Sequence, residues 1–326
     1  VGVELPAALR AALDRELEGV SRRGLAERAA RTSAAYRSGQ GSAGVVRGLE
    51  DALAYALARL PATYAACATV FAEAARMAPG FAPRTLLDAG SGPAAASWAA
   101  LEAWPRVEHI TWLDESPPFL DLAGRLASDA PAPLRASDRR RADLAAPGAG
   151  WPHADLVAAS YALAEIPPAR QAEVVASLWA ACDGVLALVE PGTPAGFARL
   201  LAARQALIAA GADILAPCPH ARDCPLAAPD WCHFSVRLPR SRDHRLAKGA
   251  EAPFEDEKFA YLIAARPGLA ATARAPRVLG HPRAGKPGID LRLCGSQGLE
   301  ARHVPRRDKP GHAAARRLGW GDVFEG

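Results

Sequence analysis

Four of the six cysteines in this chain are spaced for metal chemistry. Cys218, Cys224 and Cys232 are separated by gaps of five and seven residues, and Cys294 follows after a further 61. Their segment holds little apolar material to fold on, so a bound group would supply the missing folding free energy. Four thiolates can complete a tetrahedral zinc site or take the four corners of a cubane iron–sulfur cluster. Zinc knuckles favour tighter pairs than these, and Pro219 and Pro225, each directly after a cysteine, resemble the Cys-Pro pairs around iron–sulfur clusters. The radical arrangement Cys-x3-Cys-x2-Cys is absent. His220 and His233 stand beside cysteines as substitute ligands at most, while Cys67 and Cys182 read as small core residues.

A second constellation lies earlier. Leu86-Leu87-Asp88-Ala89-Gly90-Ser91-Gly92-Pro93 joins an expected strand to an expected helix. Glycines in such a turn let backbone approach a ligand, and an acid ending the next strand can accept ribose hydroxyl protons. Gly90 and Gly92 supply the turn, and Asp114 comes 24 residues after Gly90. Asp88 is placed to orient the loop or the amino group of a ligand. Ala95 stands where the dinucleotide pattern has its third glycine, which disfavours NAD. The stretch instead resembles motif I of class I methyltransferases, which implies S-adenosylmethionine, although Ala94 replaces the glycine that usually continues it. After the fourth strand, amino-methylating enzymes carry Asn/Asp-Pro-Pro-aromatic. This chain has Ala159-Ser160-Tyr161-Ala162-Leu163-Ala164-Glu165 there. Tyr161 and Glu165 are in reach of a substrate, yet a helix start explains them equally, and no catalytic residue is assigned.

The elements that must position these residues follow from hydrophobic periodicity. Leu9, Leu13, Leu17 and Val20 repeat at helical spacing, as do Val45, Leu49, Leu53, Leu57 and Leu60, with a flexible break at Ser38–Ser42 between them. Pro61 is expected to stop the second helix, and a third runs from Thr63 to Met77. From Thr85 short apolar strands alternate with helices, the mark of a parallel α/β sheet: Thr85–Asp88, His109–Leu113, Asp155–Ala159 and Val185–Val189. After about residue 215 the periodicity ends, and a further Pro/Gly/Arg-rich stretch runs from Arg266 to Gly288. The expected organisation is a helical region at 1–80, a Rossmann-like domain at 81–215 and a basic cysteine-rich module at 216–326.

Composition is that of a globular protein, half hydrophobic and 23% charged. Its net charge of +4 is uneven. Residues 1–236 carry 21 Arg and no Lys against 25 acids, a net of −4, whereas residues 237–326 carry 14 Arg and 4 Lys against 10 acids, a net of +8. The basic end is suited to a polyanion, with Arg237, Arg240, Arg242, Arg245 and Lys248 as phosphate partners, and Trp231 and Phe234 as stacking or packing rings. No secretory signal opens the chain and no apolar run reaches the ~18 residues of a span. The expected setting is intracellular, without a membrane, where thiols stay reduced.

Several longer stretches carry a resemblance. They are the cysteine segment through Asp230-Trp231-Cys232-His233-Phe234-Ser235, then Arg237-Leu238-Pro239-Arg240-Ser241-Arg242 and Phe254-Glu255-Asp256-Glu257-Lys258-Phe259. Arg59-Leu60-Pro61-Ala62-Thr63-Tyr64, Val189-Glu190-Pro191-Gly192-Thr193-Pro194 and Ala315-Arg316-Arg317-Leu318-Gly319-Trp320-Gly321-Asp322 add to them. Together they resemble the methyltransferase-like assembly factors of the mitochondrial small ribosomal subunit and their bacterial homologues. The resemblance implies a class I methyltransferase (Rossmann-like) α/β fold and an S-adenosylmethionine pocket at Asp88, Gly90, Gly92 and Asp114. It also implies a 4Fe–4S cluster on Cys218, Cys224, Cys232 and Cys294, with zinc the alternative, and contact with small-subunit rRNA during assembly, with methyl transfer lost. Without a transit peptide, a bacterial cytoplasmic member is expected. An active rRNA methyltransferase, or a small-molecule methyltransferase with structural zinc, are the competing readings.

Overall fold

The computed structural model describes residues 2–37, 44–146, 150–269 and 274–325; the break read at Ser38–Ser42 lies outside them. Three helices open the chain: α1 (Ala7–Glu16), α2 (Arg22–Arg37) and α3 (Leu49–Met77). An alternating stretch follows: β1 (Thr85–Ala89), α4 (Ala95–Ala103), β2 (His109–Asp114), α5 (Pro117–Leu126), α6 (Ala132–Arg135), β3 (Asp138–Arg141), β4 (Ala154–Ser160), α7 (Pro168–Ala180), β5 (Cys182–Pro191), α8 (Pro194–Ala209) and β6 (Asp213–Ala216). Beyond the first cysteines come β7 (Phe234–Pro239), α9 (Arg242–Lys248), β8 (Phe254–Ala265), β9 (Arg277–Val278), β10 (Arg283–Ala284), β11 (Gly288–Gly295), β12 (Gly298–Pro305) and α10 (Lys309–Ala315).

The main sheet runs β3-β2-β1-β4-β5-β8-β6, with β7 also paired to β8. Pairs from β3 to β5 are parallel, and β8 lies antiparallel to β5, β6 and β7. That order, with one antiparallel strand inserted between the fifth and sixth, is the methyltransferase-like α/β arrangement expected from the sequence. Alternate residues build two cores. Leu86, Ile110, Trp112, Leu156, Val185 and Ile263 face α3, α4 and α5, whereas Leu87, Leu113, Val157, Leu186 and Leu262 face α7 and α8. Burial on both faces explains why these strands are nearly continuous apolar runs.

Two expectations are corrected. Pro61 does not stop a helix; α3 continues through it for 29 residues. Proline forfeits the bond its N–H would make to the Leu57 carbonyl. Burial of Leu57, Leu60, Tyr64, Cys67 and Phe71 along the same helix outweighs that loss. Nor does the sheet end at residue 215: β7 and β8 complete it, because Phe259–Ala265 is an apolar run buried between β5 and β6. The remaining C-terminal chain forms a small sheet of β10, β11 and β12, with β9 on β11, over a core of Val278, Ile289, Leu291, Leu293, Val304 and Ala315. Strand β3 escaped the sequence reading since all four of its residues are exposed. No described helix is long and apolar enough to cross a membrane.

One side chain anchors the start of the sheet. Asp155 Oδ2 accepts from Arg84 N at 2.8 Å, Thr85 N at 3.0 Å and Thr85 Oγ1 at 3.1 Å, stitching β1 to β4. Asp155→Ala should lower stability to urea by about 3 kcal/mol, the cost of leaving charge-assisted donors unmet; a change below about 0.5 kcal/mol would contradict this role.

Candidate functional site

The turn after β1 is tied to the end of β2, since Gly90 N and Ser91 N both donate to Leu113 O at 2.8 and 3.0 Å. Gly90, Gly92 and Ala94 have φ of 71°, 50° and 65°. A Cβ on Gly90 would lie 2.7 Å from Ala162 Cβ, while one on Gly92 would meet nothing within 4 Å. The first glycine is required by packing as well as by conformation, and the second leaves room for a ligand. Asp114 Oδ2 accepts from Gly92 N at 2.7 Å and Oδ1 from Ser116 N at 2.8 Å. Burial, with repulsion from Glu165 and Glu115, pushes its carboxyl up to about 6.

Gly90, Gly92 and Asp114 line one cavity with Tyr55, Phe119, Leu144, Tyr161 and Glu165. Asp88, the fourth expected residue, is not on that wall. It is fully buried behind the turn, where Oδ2 accepts from Ser97 N at 3.1 Å and Ser97 Oγ at 2.7 Å. Trp112 Nε1 donates to the same hydroxyl at 3.0 Å. Asp88 Oδ1 has no partner, and burial pushes the carboxyl up to about 7. Its geometry is that of a residue orienting the loop through α4.

A second cavity adjoins the first, sharing Tyr55, Tyr161 and Glu165, and adds Arg59, Arg199, Thr193 and Glu257. Tyr161 has φ 59°, a left-handed conformation that a bulky residue adopts only when its surroundings impose it. Its hydroxyl donates to Glu257 Oε1 at 2.8 Å, and Arg59 grips the same carboxylate from Nη2 at 2.9 Å and Nη1 at 3.3 Å. Arg59 also lies 5.4 Å from the Tyr161 ring centre. Glu190, pushed up by burial to about 7, accepts from Arg199 Nε at 2.6 Å. Arg59 and Glu257 were not singled out from the sequence as site residues, although both fall in stretches that carry the family resemblance. Nothing local links them, since they are 198 positions apart.

All four expected cysteines line a third cavity, together with Arg204, His220, Tyr261 and Arg277. Every cysteine of the described chain is a free thiol, and Cys67 and Cys182 are buried in the cores instead. Burial first, then the charges of the other three thiols, pushes Cys232 well up, and Cys294 is pushed up to about 11 by burial, then by Cys218 and Cys224. Cys294 Sγ lies 3.8 Å from His220 Nε2. Arg204 Nη2 donates to His220 O and Arg222 O, both at 2.7 Å, holding the loop between Cys218 and Cys224. Arg277 pairs with Cys294 in the small sheet, and its guanidinium reaches Pro217 O, Gly321 O and Glu73. Among the described residues, no group of three or more His, Cys, Asp or Glu side chains is arranged to hold a metal ion. Trp231, stacked on His233 at 4.8 Å, donates from Nε1 to Gly192 O at 3.0 Å and so ties the cysteine segment to the rim of the second cavity.

The expected phosphate partners are partly spent. Arg237 pairs with Asp256, and Arg240 and Lys248 with Glu255, because the acids of β8 oppose β7 and α9. Exposed cations that make no side-chain hydrogen bond or ion pair among the described residues lie farther on: Arg283, Lys286, Arg306, Arg307 and Lys309. Arg306 N donates to Pro287 O at 2.9 Å, which sets the two turns bearing them side by side.

Comparison with known proteins follows this geometry. The profile of the family described as "Mitochondrial small ribosomal subunit Rsm22" matches residues 49–325, a span that includes all three cavities' principal residues. The chain is 31% identical over 294 residues to the human protein "Ribosome assembly protein METTL17, mitochondrial", covering 83% of this chain and 62% of that one. It therefore spans under two thirds of that relative. Among solved structures, magnesium protoporphyrin IX methyltransferase (ChlM) from Synechocystis PCC 6803 with bound SAH is similar at TM-score 0.42 and 15% identity, over 63% of this chain and 83% of that one. An RNA methyltransferase-like protein, PH1948 from Pyrococcus horikoshii, is similar at TM-score 0.40 and 10% identity, over 61% and 81%. At these scores the fold rests on the strand order itself.

The two glycines should respond differently to substitution. Gly90→Ala adds a clash with Ala162 to the left-handed strain and should cost about 3 kcal/mol in urea unfolding, against about 1 kcal/mol for Gly92→Ala. Equal costs would contradict the geometry. Asp88 titrates higher in the folded than in the unfolded chain, so the fold holds its proton more tightly between about pH 4 and about 7, and stability from this group falls as pH rises through that window. Asp88→Asn should remove that fall, gaining on wild type as pH rises from 5 to 8; a parallel pair of stability curves would count against it.

Proposed function

The chain belongs to the Rsm22 family of the mitochondrial small ribosomal subunit, and from that membership we propose that it is a methyltransferase-like factor that binds small-subunit rRNA and assists assembly. The observation that carries this reading is the family match across residues 49–325, a span containing both the glycine-turn cavity and the four-cysteine cavity. The assembly role comes from what the human relative's name states of that protein.

In this reading the first cavity takes S-adenosylmethionine. Gly92 offers open backbone, Asp114 exchanges its bond to Gly92 N for the ribose hydroxyls, and Asp88 holds the turn from behind. The third cavity takes a 4Fe–4S cluster on Cys218, Cys224, Cys232 and Cys294, with zinc as the alternative occupant of the same thiols. The donor set supports it, being four soft thiols on one wall with two buried nitrogens, Arg204 Nε and His220 Nδ1, lacking partners. Bound there, the group would cross-link the loop after β6 to the small sheet, and the thiols would draw together on loading. A bacterial cytoplasmic setting belongs to the same proposal.

A specific observation favours a second reading, active rRNA methylation. Tyr161, strained and gripped by Glu257, stands where the cofactor cavity opens into its neighbour, the place from which an acceptor would be addressed. No residue of that network is placed as a base, so the first reading leads.

RNA contact is assigned to the exposed cations of the small sheet. Binding to transcribed small-subunit rRNA should weaken steeply with salt. Lys286→Glu with Arg306→Glu and Arg307→Glu should cut affinity about tenfold or more and reduce the salt slope by about 2, as three lost phosphate contacts require. Unchanged binding would remove RNA from the proposal. Tritiated methyl transfer to immature subunits should be absent; incorporation lost in Tyr161→Phe would replace the first reading by the second.

A further inference from the structure

Charges buried in a protein are paired, because taking an ion out of water is costly unless a counter-charge offsets it. Arg204 breaks that rule. It projects from α8 and is 3% exposed. Its Nη2 serves two carbonyls, its Nε–H has no partner, and among the described residues no carboxylate forms an ion pair with it. Arg277, the other guanidinium on the cavity wall, is already matched by Glu73. Arg204 lines the same cavity as the four thiols, and its charge acts on Cys218 and Cys294.

Four thiolates around a dipositive group, whether one zinc ion or an oxidised 4Fe–4S core, leave two net negative charges. We propose that Arg204 is the built-in counter-charge of this four-thiolate centre and donates its Nε–H to a sulfur of the loaded site. It thereby acts as a positioning residue that sets how tightly the metal group is held. The two carbonyls it already binds lie between Cys218 and Cys224, so one side chain both shapes the ligand loop and neutralises the group that the loop holds. The inference rests on the metal reading of this cavity and applies to either metal.

The test uses the full chain purified anaerobically, with iron and zinc content measured, as wild type, Arg204→Lys and Arg204→Gln. Gln keeps donors for the carbonyls without charge, and Lys keeps the charge. Metal release to excess chelator should be about 10–100-fold faster in Arg204→Gln, the worth of a charge-assisted bond, with Arg204→Lys closer to wild type. Equal rates in Gln and wild type, or a Lys variant as leaky as Gln, would overturn the assignment. A readout independent of the variants' folding is the arginine Nε–H spectrum of 15N-labelled wild type. One signal should gain protection from exchange on loading and be missing in Arg204→Lys, and an unaltered set would overturn the proposal. Wild type lacking both iron and zinc would sink the metal reading itself, whereas loaded wild type with indifferent variants sinks only the role of Arg204.

Discussion

Among the described residues, four thiols and a buried guanidinium without a carboxylate partner share one cavity, where the loop after β6 meets the small sheet. Burial and neighbouring thiols push Cys232 and Cys294 up, which favours their protonated forms unless something positive comes between them. Once it does, the same burial strengthens every attraction inside. The thiols come from separate pieces of chain: Cys218 follows β6, Cys232 precedes β7 and Cys294 lies in β11 of the small sheet. The small sheet and the C-terminal end are tied to the body by Arg277 to Glu73 and Pro217, by Arg222 to Ser296 and Gln297, by Arg292 to Asp230 and by Trp320 against His233, and a group held by the thiols would add a further link.

The two halves of the chain are interleaved. Strand β8, past the first three cysteines, fills the place between β5 and β6, and from its start Glu257 reaches Tyr161 and Arg59. The wall of the second cavity is thus built partly by the segment that follows the cysteines. Trp231, adjacent to Cys232, holds the carbonyl of Gly192 on the other rim.

Much of this was legible in the residues. Except for the exposed β3, the strands from Thr85 to Val189 are apolar runs buried on both faces, and the glycine turn and Asp114 meet in space as their spacing requires. The four cysteines line one cavity, although among the described residues they are not arranged to hold a metal ion. What escaped depends on contacts distant in sequence. Strand β8 hides in a region whose composition is polar on either side of it. The Arg59–Glu257–Tyr161 network joins three elements with no common motif. The helix through Pro61 reflects burial prevailing over a local rule, and the pairing of Arg237, Arg240 and Lys248 with β8 acids is set by strand register, which net charge does not reveal.

Whether the four thiols share one metal group is decided by metal analysis of the chain purified without oxygen, as wild type, Cys224→Ser and Cys294→Ser. Wild type should carry about four irons with matching sulfide and a broad absorbance near ~400 nm, lost together in both variants despite their distance in sequence. One zinc per chain, lost in both, would keep the centre and replace the cluster. Metal-free wild type, or a metal that survives either substitution undiminished, would contradict it.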